Sequence, residues 1–237
     1  MNIKKLFDKP VKCSAVIVAA GSSRRMGEDK TMMEIGGVPV LARTLKVFDE
    51  SPQIDEIVLV TRMDRIEQIA DFVKNHGISK VTKVIAGGQT RMESCLAGVA
   101  SVKKTAEYIA IHDAARPFVT PELISACLEG AKKYRAAVPG IPVADTLKKV
   151  EDGFSAGNVD RESVVRIQTP QFFESDLIKG TLTCTVEKKL LVTDDSSAVE
   201  LCGFRVKIIP GDEDNIKLTE PSDLDVAEAI LRKRERN

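Results

Sequence analysis

The sequence predicts an α/β fold in which a mostly parallel sheet carries helices on both faces and one polar β-arm protrudes. Three observations predict it. Short, mostly apolar runs of small and β-branched residues recur at 14–20, 56–60, 81–86, 108–112 and 136–143, as strands buried on both faces require. Between them, 40–49, 65–75, 91–102 and 121–134 carry helical patterns, and strand alternating with helix means a parallel sheet wrapped on both sides. The pattern then breaks at 145–168, where TLKKVEDGFSAGNVDRESVVRIQ is charged and holds three strand-like pieces. A polar hairpin of that length cannot bury a core of its own, so it is expected to pack on something else, most economically a second copy of the chain.

Each element has a local cause. The first strand is all small or β-branched and ends at Gly21, and the third turns at Gly87-Gly88 towards the next helix. In Thr120-Pro121-Glu122-Leu123 a threonine N-cap precedes proline at the first helical position. The arm has turn signals at Asp152-Gly153 and Gly157-Asn158. Helices follow over 175–187 and 195–201, then a strand over 205–210 and a closing helix over 221–234. The expectation is a single domain over 1–237 with one excursion at 145–168.

Composition narrows the function. With 35 basic and 35 acidic residues the formal charge is zero, so no whole-protein field draws nucleic acid or an anionic membrane, and any phosphate site must be local. No run approaches a membrane span of roughly 18 apolar residues, and no signal-peptide core follows the basic N-terminus. Cys13, Cys95, Cys127, Cys184 and Cys202 are odd in number and widely spaced, and only two histidines are present to complete a metal cluster. They read as buried free thiols of a cytoplasmic protein.

The first strand delivers VIVAAGSSRRMGEDK, a glycine turn followed by Arg24, Arg25 and Lys30. Its spacing is neither the dinucleotide fingerprint nor a P-loop. A glycine turn and cations at a strand's carboxyl end suit an anion held where backbone N–H groups converge, although a solvated loop with chance cations has the same composition. Ile111-His112-Asp113-Ala114-Ala115-Arg116-Pro117 adds a carboxylate and a cation at the same edge. Asp113 is a candidate ligand for Mg²⁺, a hard ion held by one or two carboxylates plus substrate phosphates; otherwise Asp113 pairs with Arg116, and His112 is a core histidine. Asp194 and Asp195 could join that field, but capping of the following helix by Thr193 or Asp194 is their simpler role.

Together with Pro142-Val143-Ala144-Asp145-Thr146-Leu147-Lys148, Gln168-Thr169-Pro170-Gln171, Val192-Thr193-Asp194-Asp195 and Asn215-Ile216-Lys217-Leu218-Thr219, these segments resemble the 2-C-methyl-D-erythritol 4-phosphate cytidylyltransferase family from about residue 13 to 231. The resemblance implies a Rossmann-like nucleotidyltransferase with a protruding arm that completes a homodimer. Its substrates would be CTP and a sugar-alcohol phosphate, and its cofactor Mg²⁺ or another divalent cation. It assigns Ala19, Ala20, Gly21, Gly88, Gln89 and Ser94 to the nucleotide, and Ala114 to substrate binding. Arg25, Lys30 and Lys217 would hold phosphates, Asp113 the metal, and Thr193 the acceptor, with Thr146 and Arg161 lent by the partner's arm. Two positions depart from the family's usual pattern: Lys30 stands in a shortened loop, and Gln89 replaces a common acidic residue.

The implied chemistry needs no general base. A phosphate monoester, with a second pKa of about 6, is already mostly a dianion at neutral pH, so the demand is for charge neutralisation while it attacks an anionic triphosphate. Cytidylyl transfer to ribitol 5-phosphate is the sister alternative, and Asp-Ala-Ala-Arg-Pro at 113–117 favours methylerythritol phosphate. A non-catalytic nucleotide-binding protein would be expected to lose the loop cations or the strand-end carboxylate, and both are present.

Overall fold

The computed structural model describes residues 12–21 and 29–236. The chain runs β1 (Cys13–Val18), β2 (Glu34–Ile35), β3 (Val38–Pro39), α1 (Val40–Glu50), β4 (Glu56–Thr61), α2 (Ile66–Asn75), β5 (Val81–Ala86) and α3 (Arg91–Ser101). It continues through β6 (Tyr108–Asp113), α4 (Pro121–Tyr134), β7 (Ala136–Pro142), β8 (Leu147–Glu151), β9 (Phe154–Val159), β10 (Val165–Ile167) and β11 (Gln171–Glu174). It closes with α5 (Ser175–Glu187), α6 (Asp195–Leu201), β12 (Lys207–Pro210) and α7 (Asp223–Glu235).

The main sheet has β1 at its centre, flanked in parallel by β4 and β6, with β5 parallel outside β4. Alternate residues of the strands serve opposite cores. Cys13, Ala15 and Ile17 pack with Leu45 and Phe48 of α1, Phe72 of α2 and Cys127 of α4. Val16, between them, packs on the other face with Cys95 and Val99 of α3, Ile178 of α5 and Val199 of α6. Both faces are therefore covered, which is why the strands read as near-continuous apolar runs. α7 caps a third cluster, its Ala227 and Ile230 meeting Ile35, Phe118 and Leu218.

One expectation needs correction. The third strand-like piece of the arm, β10, belongs to the main sheet, and with β11 it forms an antiparallel strand beside β7. Ala137 pairs with Phe172 and Lys207, and Gly140 pairs with Ile167 and Pro210, so β12 occupies one edge of β7 while β10 and β11 share the other. β11 also pairs antiparallel with β6, so it separates β6 from β7. Sequence reasoning missed it because QFFE is four residues long and lies among motif residues. A second short hairpin, β2 and β3, was also unexpected; positive φ at Gly36 and Gly37 makes its two-residue turn.

The arm itself is β8 and β9, which pair only with each other. Asp152 and Gly153 turn it with φ of 49° and 83°, the conformation that an Asp-Gly hairpin turn demands. Val150 and Phe154 at its tip are 67% and 78% exposed, so this chain does not cover the arm's apolar side chains.

Candidate active site

Three loops at the carboxyl edge of the sheet build a cavity of about 390 Å³: the end of β1 at Ala19–Gly21, the turn after β5 at Gly88–Arg91, and the end of β6 at Asp113 and Ala115. The edge is opened by chain direction: parallel strands end together, and their loops diverge. The run from β1 ends at Val18 rather than at residue 20, and Ala19 N–H donates to the Val60 carbonyl at 2.7 Å, so Ala19 to Gly21 are free to line the cavity.

The turn after β5 is shaped from within. Thr90 and Glu93 form a reciprocal capping box, and the Glu93 carboxylate also accepts from Gln89 N–H at 2.7 Å. Ser94 Oγ accepts from Gly88 N–H at 3.1 Å and donates to the Thr90 carbonyl at 2.9 Å. A Cβ on Gly88 would run into Glu93, so glycine is required for this close approach. α3 lies close over the sheet because Gly98 presents no side chain to Val16 and Val60.

A second cavity of about 370 Å³ opens on the other side of Asp113, lined by Gln168, Thr169, Gln171, Thr193, Asp194, Ser196 and Ser197 among others. Arg91, Asp113 and Lys217 line both cavities. Asp113 is the junction. Its carboxylate lies 2.7 Å from Lys217 Nζ, 3.3 Å from Arg91 Nη2 and 4.0 Å from Arg116 Nε. Burial alone would raise its pKa, but Arg91, Lys217 and Arg116 outweigh burial and hold it well below the ordinary carboxylate range.

The residues around the junction are tied down. His112 is fully buried, and burial pushes its pKa down to about 3, so it is neutral. Asp113 N–H donates to Thr169 Oγ1 at 3.1 Å, which leaves the Thr169 hydroxyl to donate to His112 Nδ1 at 3.1 Å and His112 Nε2–H to donate to the Arg116 carbonyl at 3.2 Å. The bland reading of His112 as a core histidine therefore holds. The alternative pairing of Asp113 with Arg116 is the weakest of the three contacts, and Arg116 gives its Nη1 to the Asn215 carbonyl at 2.8 Å. Asn215 and Gln168 fasten the loop that carries Lys217, donating to the carbonyls of Thr169 at 2.9 Å and Asp212 at 2.7 Å.

The sequence candidates fall into groups. Ala19, Ala20, Gly21, Lys30, Gly88, Gln89, Ser94, Asp113 and Lys217 line the first cavity, and Lys30 Nζ donates to the Leu218 carbonyl at 3.0 Å. Thr193 lines the second cavity, and Asp194, not Thr193, caps α6 by accepting from Ser197 N–H. Ala114 is a correction: it is 1% exposed, with its carbonyl accepting from Thr44 at 2.9 Å, and Ala115 lines the cavity in its place. Thr146 and Arg161 line neither cavity of their own chain, where Arg161 donates to the Ala144 carbonyl at 3.2 Å. Arg25 lies outside the described residues. Of the five cysteines, Cys13, Cys95 and Cys127 are buried, but Cys184 and Cys202 are partly exposed, which corrects the expectation for those two.

Sequence reasoning passed over Arg91 and set Asp195 aside in favour of helix capping by Thr193 or Asp194. Arg91 Nη2 lies 2.7 Å from Asp195 Oδ2, and Asp195 is wholly buried. A weak signal was available: Arg91 is a cation in the first turn of α3, where the helix dipole disfavours positive charge and a neighbouring carboxylate offsets it.

Among the described residues no group of three or more His, Cys, Asp or Glu side chains could cage a metal ion. Asp113 is the one carboxylate that lines the first cavity among the described residues. That donor set fits Mg²⁺ of the kind held mainly by substrate phosphates and water with a single protein carboxylate, and it does not fit a protein-enclosed metal.

A family model described as 2-C-methyl-D-erythritol 4-phosphate cytidylyltransferase matches residues 13–233. A protein of that name from Caldanaerobacter subterraneus is 45% identical over 224 residues, covering 93% of this chain and 99% of the relative. Another from Halalkalibacterium halodurans is 41% identical over 225 residues, covering 94% and 98%. The crystal structure of 4-diphosphocytidyl-2C-methyl-D-erythritol synthase from Anaerococcus prevotii superposes with a TM-score of 0.84 at 31% identity, covering 94% of this chain and 97% of that one.

Proposed function

The chain belongs to the 2-C-methyl-D-erythritol 4-phosphate cytidylyltransferase family, and from that premise we propose that its two adjoining cavities hold the two substrates of one phosphoryl transfer. The protein is a nucleotidyltransferase. It transfers the cytidylyl group of CTP to 2-C-methyl-D-erythritol 4-phosphate, releasing pyrophosphate.

The observation that carries the assignment of sites is the shared wall. Two cavities of similar size meet at Asp113, Arg91 and Lys217, so a group bound in one can reach a group bound in the other. CTP takes the first cavity, its base and ribose against Ala19, Ala20, Gly21, Gly88 and Gln89, with the turn-shaping Ser94 beneath them. Lys30 and Arg25 neutralise its triphosphate. The acceptor takes the second cavity beside Thr193, and Lys217 holds its phosphate or that of the nucleotide at the junction. The acceptor needs no base, which suits a site whose one buried histidine is neutral and spends both ring nitrogens on structure. Mg²⁺, supported by Asp113, supplies further neutralisation of phosphate oxygens when bound.

The arm gives the reading its quaternary form. Thr146 and Arg161 stand outside their own chain's cavities, and the hairpin tip exposes Val150 and Phe154, so the arm serves the acceptor cavity of a second copy in a homodimer. Five unpaired cysteines suit the reducing cytoplasm, and no helix of the described residues is long and apolar enough to cross a membrane.

Pyrophosphate release from CTP and Mg²⁺ is the test, run with methylerythritol phosphate and with ribitol 5-phosphate. A kcat/KM higher for methylerythritol phosphate is expected, and preference for ribitol phosphate would overturn the acceptor assignment.

A further inference from the structure

The wall between the cavities contains one guanidinium whose surroundings are unusual. Arg91 projects from the first turn of α3 and lines both cavities. Its Nη2 is shared between Asp195 at 2.7 Å and Asp113 at 3.3 Å. Its Nη1 is buried and has no hydrogen-bond partner among the described residues. An unsatisfied buried donor on a charged group costs stability and calls for an explanation, of which a catalytic role is one. Asp195, with no exposure at all, is too deep to meet a substrate, and Arg91 is its only ion-pair partner among the described residues.

The reaction itself says what stands at the junction. An oxygen of the acceptor phosphate bonds to the α-phosphorus of CTP, the bond from that phosphorus to the bridging oxygen breaks, and pyrophosphate leaves with the electron pair. If each substrate has its own cavity, the phosphorus must cross between them at the residues common to both. Of those, Asp113 is an anion and Lys217 is a point charge, whereas Arg91 carries a planar guanidinium fork whose Nη1 has no hydrogen-bond partner among the described residues.

We propose that Arg91 is a catalytic residue that binds the transferring phosphoryl group where the two cavities meet, and that Asp195 is the positioning residue that holds it there. The inference rests on the cytidylyl-transfer reading. Arg91 then acts chiefly on the transition state, in which negative charge is shared among acceptor, phosphorus and leaving group, rather than on CTP binding.

The test compares Arg91→Ala, Arg91→Lys and Asp195→Asn with wild type in steady-state assays, with circular dichroism to establish folding. Arg91→Ala is expected to lower kcat by about 10²–10³ while the KM for CTP moves less than about threefold. Added guanidinium at low millimolar concentration should restore part of that kcat, and should not restore a Lys30→Ala control. Asp195→Asn should lower kcat about tenfold with the same small change in KM, because the fork is retained but loosely held. If Arg91→Ala does not fold, Arg91→Lys, which keeps the charge and loses the fork, carries the test with an expected kcat loss of at least tenfold. Full kcat in a folded Arg91 variant, a loss confined to KM, or no response of Arg91→Ala to guanidinium would overturn the proposal. Wild type that turns over neither acceptor would overturn the functional reading as well, and that result is distinct from an active wild type with a fully active Arg91 variant.

Discussion

Replacing Asp113 by asparagine removes the negative charge that Arg91, Lys217 and Arg116 share, and turns part of the side chain into a donor facing donors. Breaking a buried ion pair by removing one partner costs about 3–5 kcal/mol. Three features reduce that here. Arg91 keeps Asp195 at 2.7 Å, Arg116 keeps the Asn215 carbonyl at 2.8 Å, and the Lys217 side chain, 36% exposed, can turn to water. About 2–3 kcal/mol remains, and for a chain of this size each kcal/mol shifts Tm by roughly 2–4 °C, so Tm should fall by roughly 4–12 °C. The sign with pH follows from the depressed pKa of Asp113: its contribution is present above the unfolded carboxylate value of 3.8 and is lost as pH falls below it. The gap between wild type and Asp113→Asn should therefore be flat from about pH 5 to 8 and narrow below about pH 4. Turnover, assayed well below the variant's Tm in saturating Mg²⁺, should fall by about 10²–10³. A Tm within about 2 °C of wild type would show that the three cations do not depend on Asp113, and unchanged turnover would remove it from the site.

The buried His112 gives a second pH signature. Its pKa falls from 6.5 to about 3 on folding, so the unfolded chain takes up a proton in that window that the native state refuses. Stability should drop as pH falls from about 6.5 towards 3, with His112 contributing up to about 1.4 kcal/mol per pH unit. Chemical denaturation at several pH values should find that part of the slope missing in His112→Asn, and an unaltered slope would refute the assignment. For the arm, Lys30→Ala and Arg161→Ala are each expected to be inactive as homodimers. Mixing them under subunit exchange should return activity, because one site of each mixed dimer joins an intact Lys30 to an intact Arg161 from the other chain, up to roughly half the wild-type activity per mixed dimer by C₂ symmetry. No recovery after verified exchange, or a monomer in solution, would sink the shared site.

How far the site was legible depended on whether its signal was local. Asp113 could be found because a carboxylate directly after an apolar strand lies at the sheet's carboxyl edge wherever the strand packs. The turn at Gly87-Gly88 follows from turn chemistry within a few residues. The arm was visible as a stretch too polar for a core, and its Asp152-Gly153 turn adopts the conformation its residues favour. Arg91 and Asp195 meet across 104 positions, and no property of either residue alone names the other.

The parallel order and two-sided burial of β1, β4, β5 and β6 follow from composition and periodicity, since an apolar run bounded by helices has few other ways to leave water. The placement of β11 does not. QFFE could close an edge or enter the sheet with equal local propensity, and its antiparallel position between β6 and β7 arises because Phe172 and Phe173 bury on opposite faces there, one in each helical core. That insertion carries Gln168, Thr169 and Gln171 to the wall of the second cavity, while Gln168 and Asn215 draw in the loop bearing Lys217. Residue types and strand ends thus announced phosphate chemistry at one edge of the sheet. Three cations came to share one carboxylate through long-range packing, because a chain's local preferences constrain neighbouring residues and only burial of the whole core selects partners a hundred residues away.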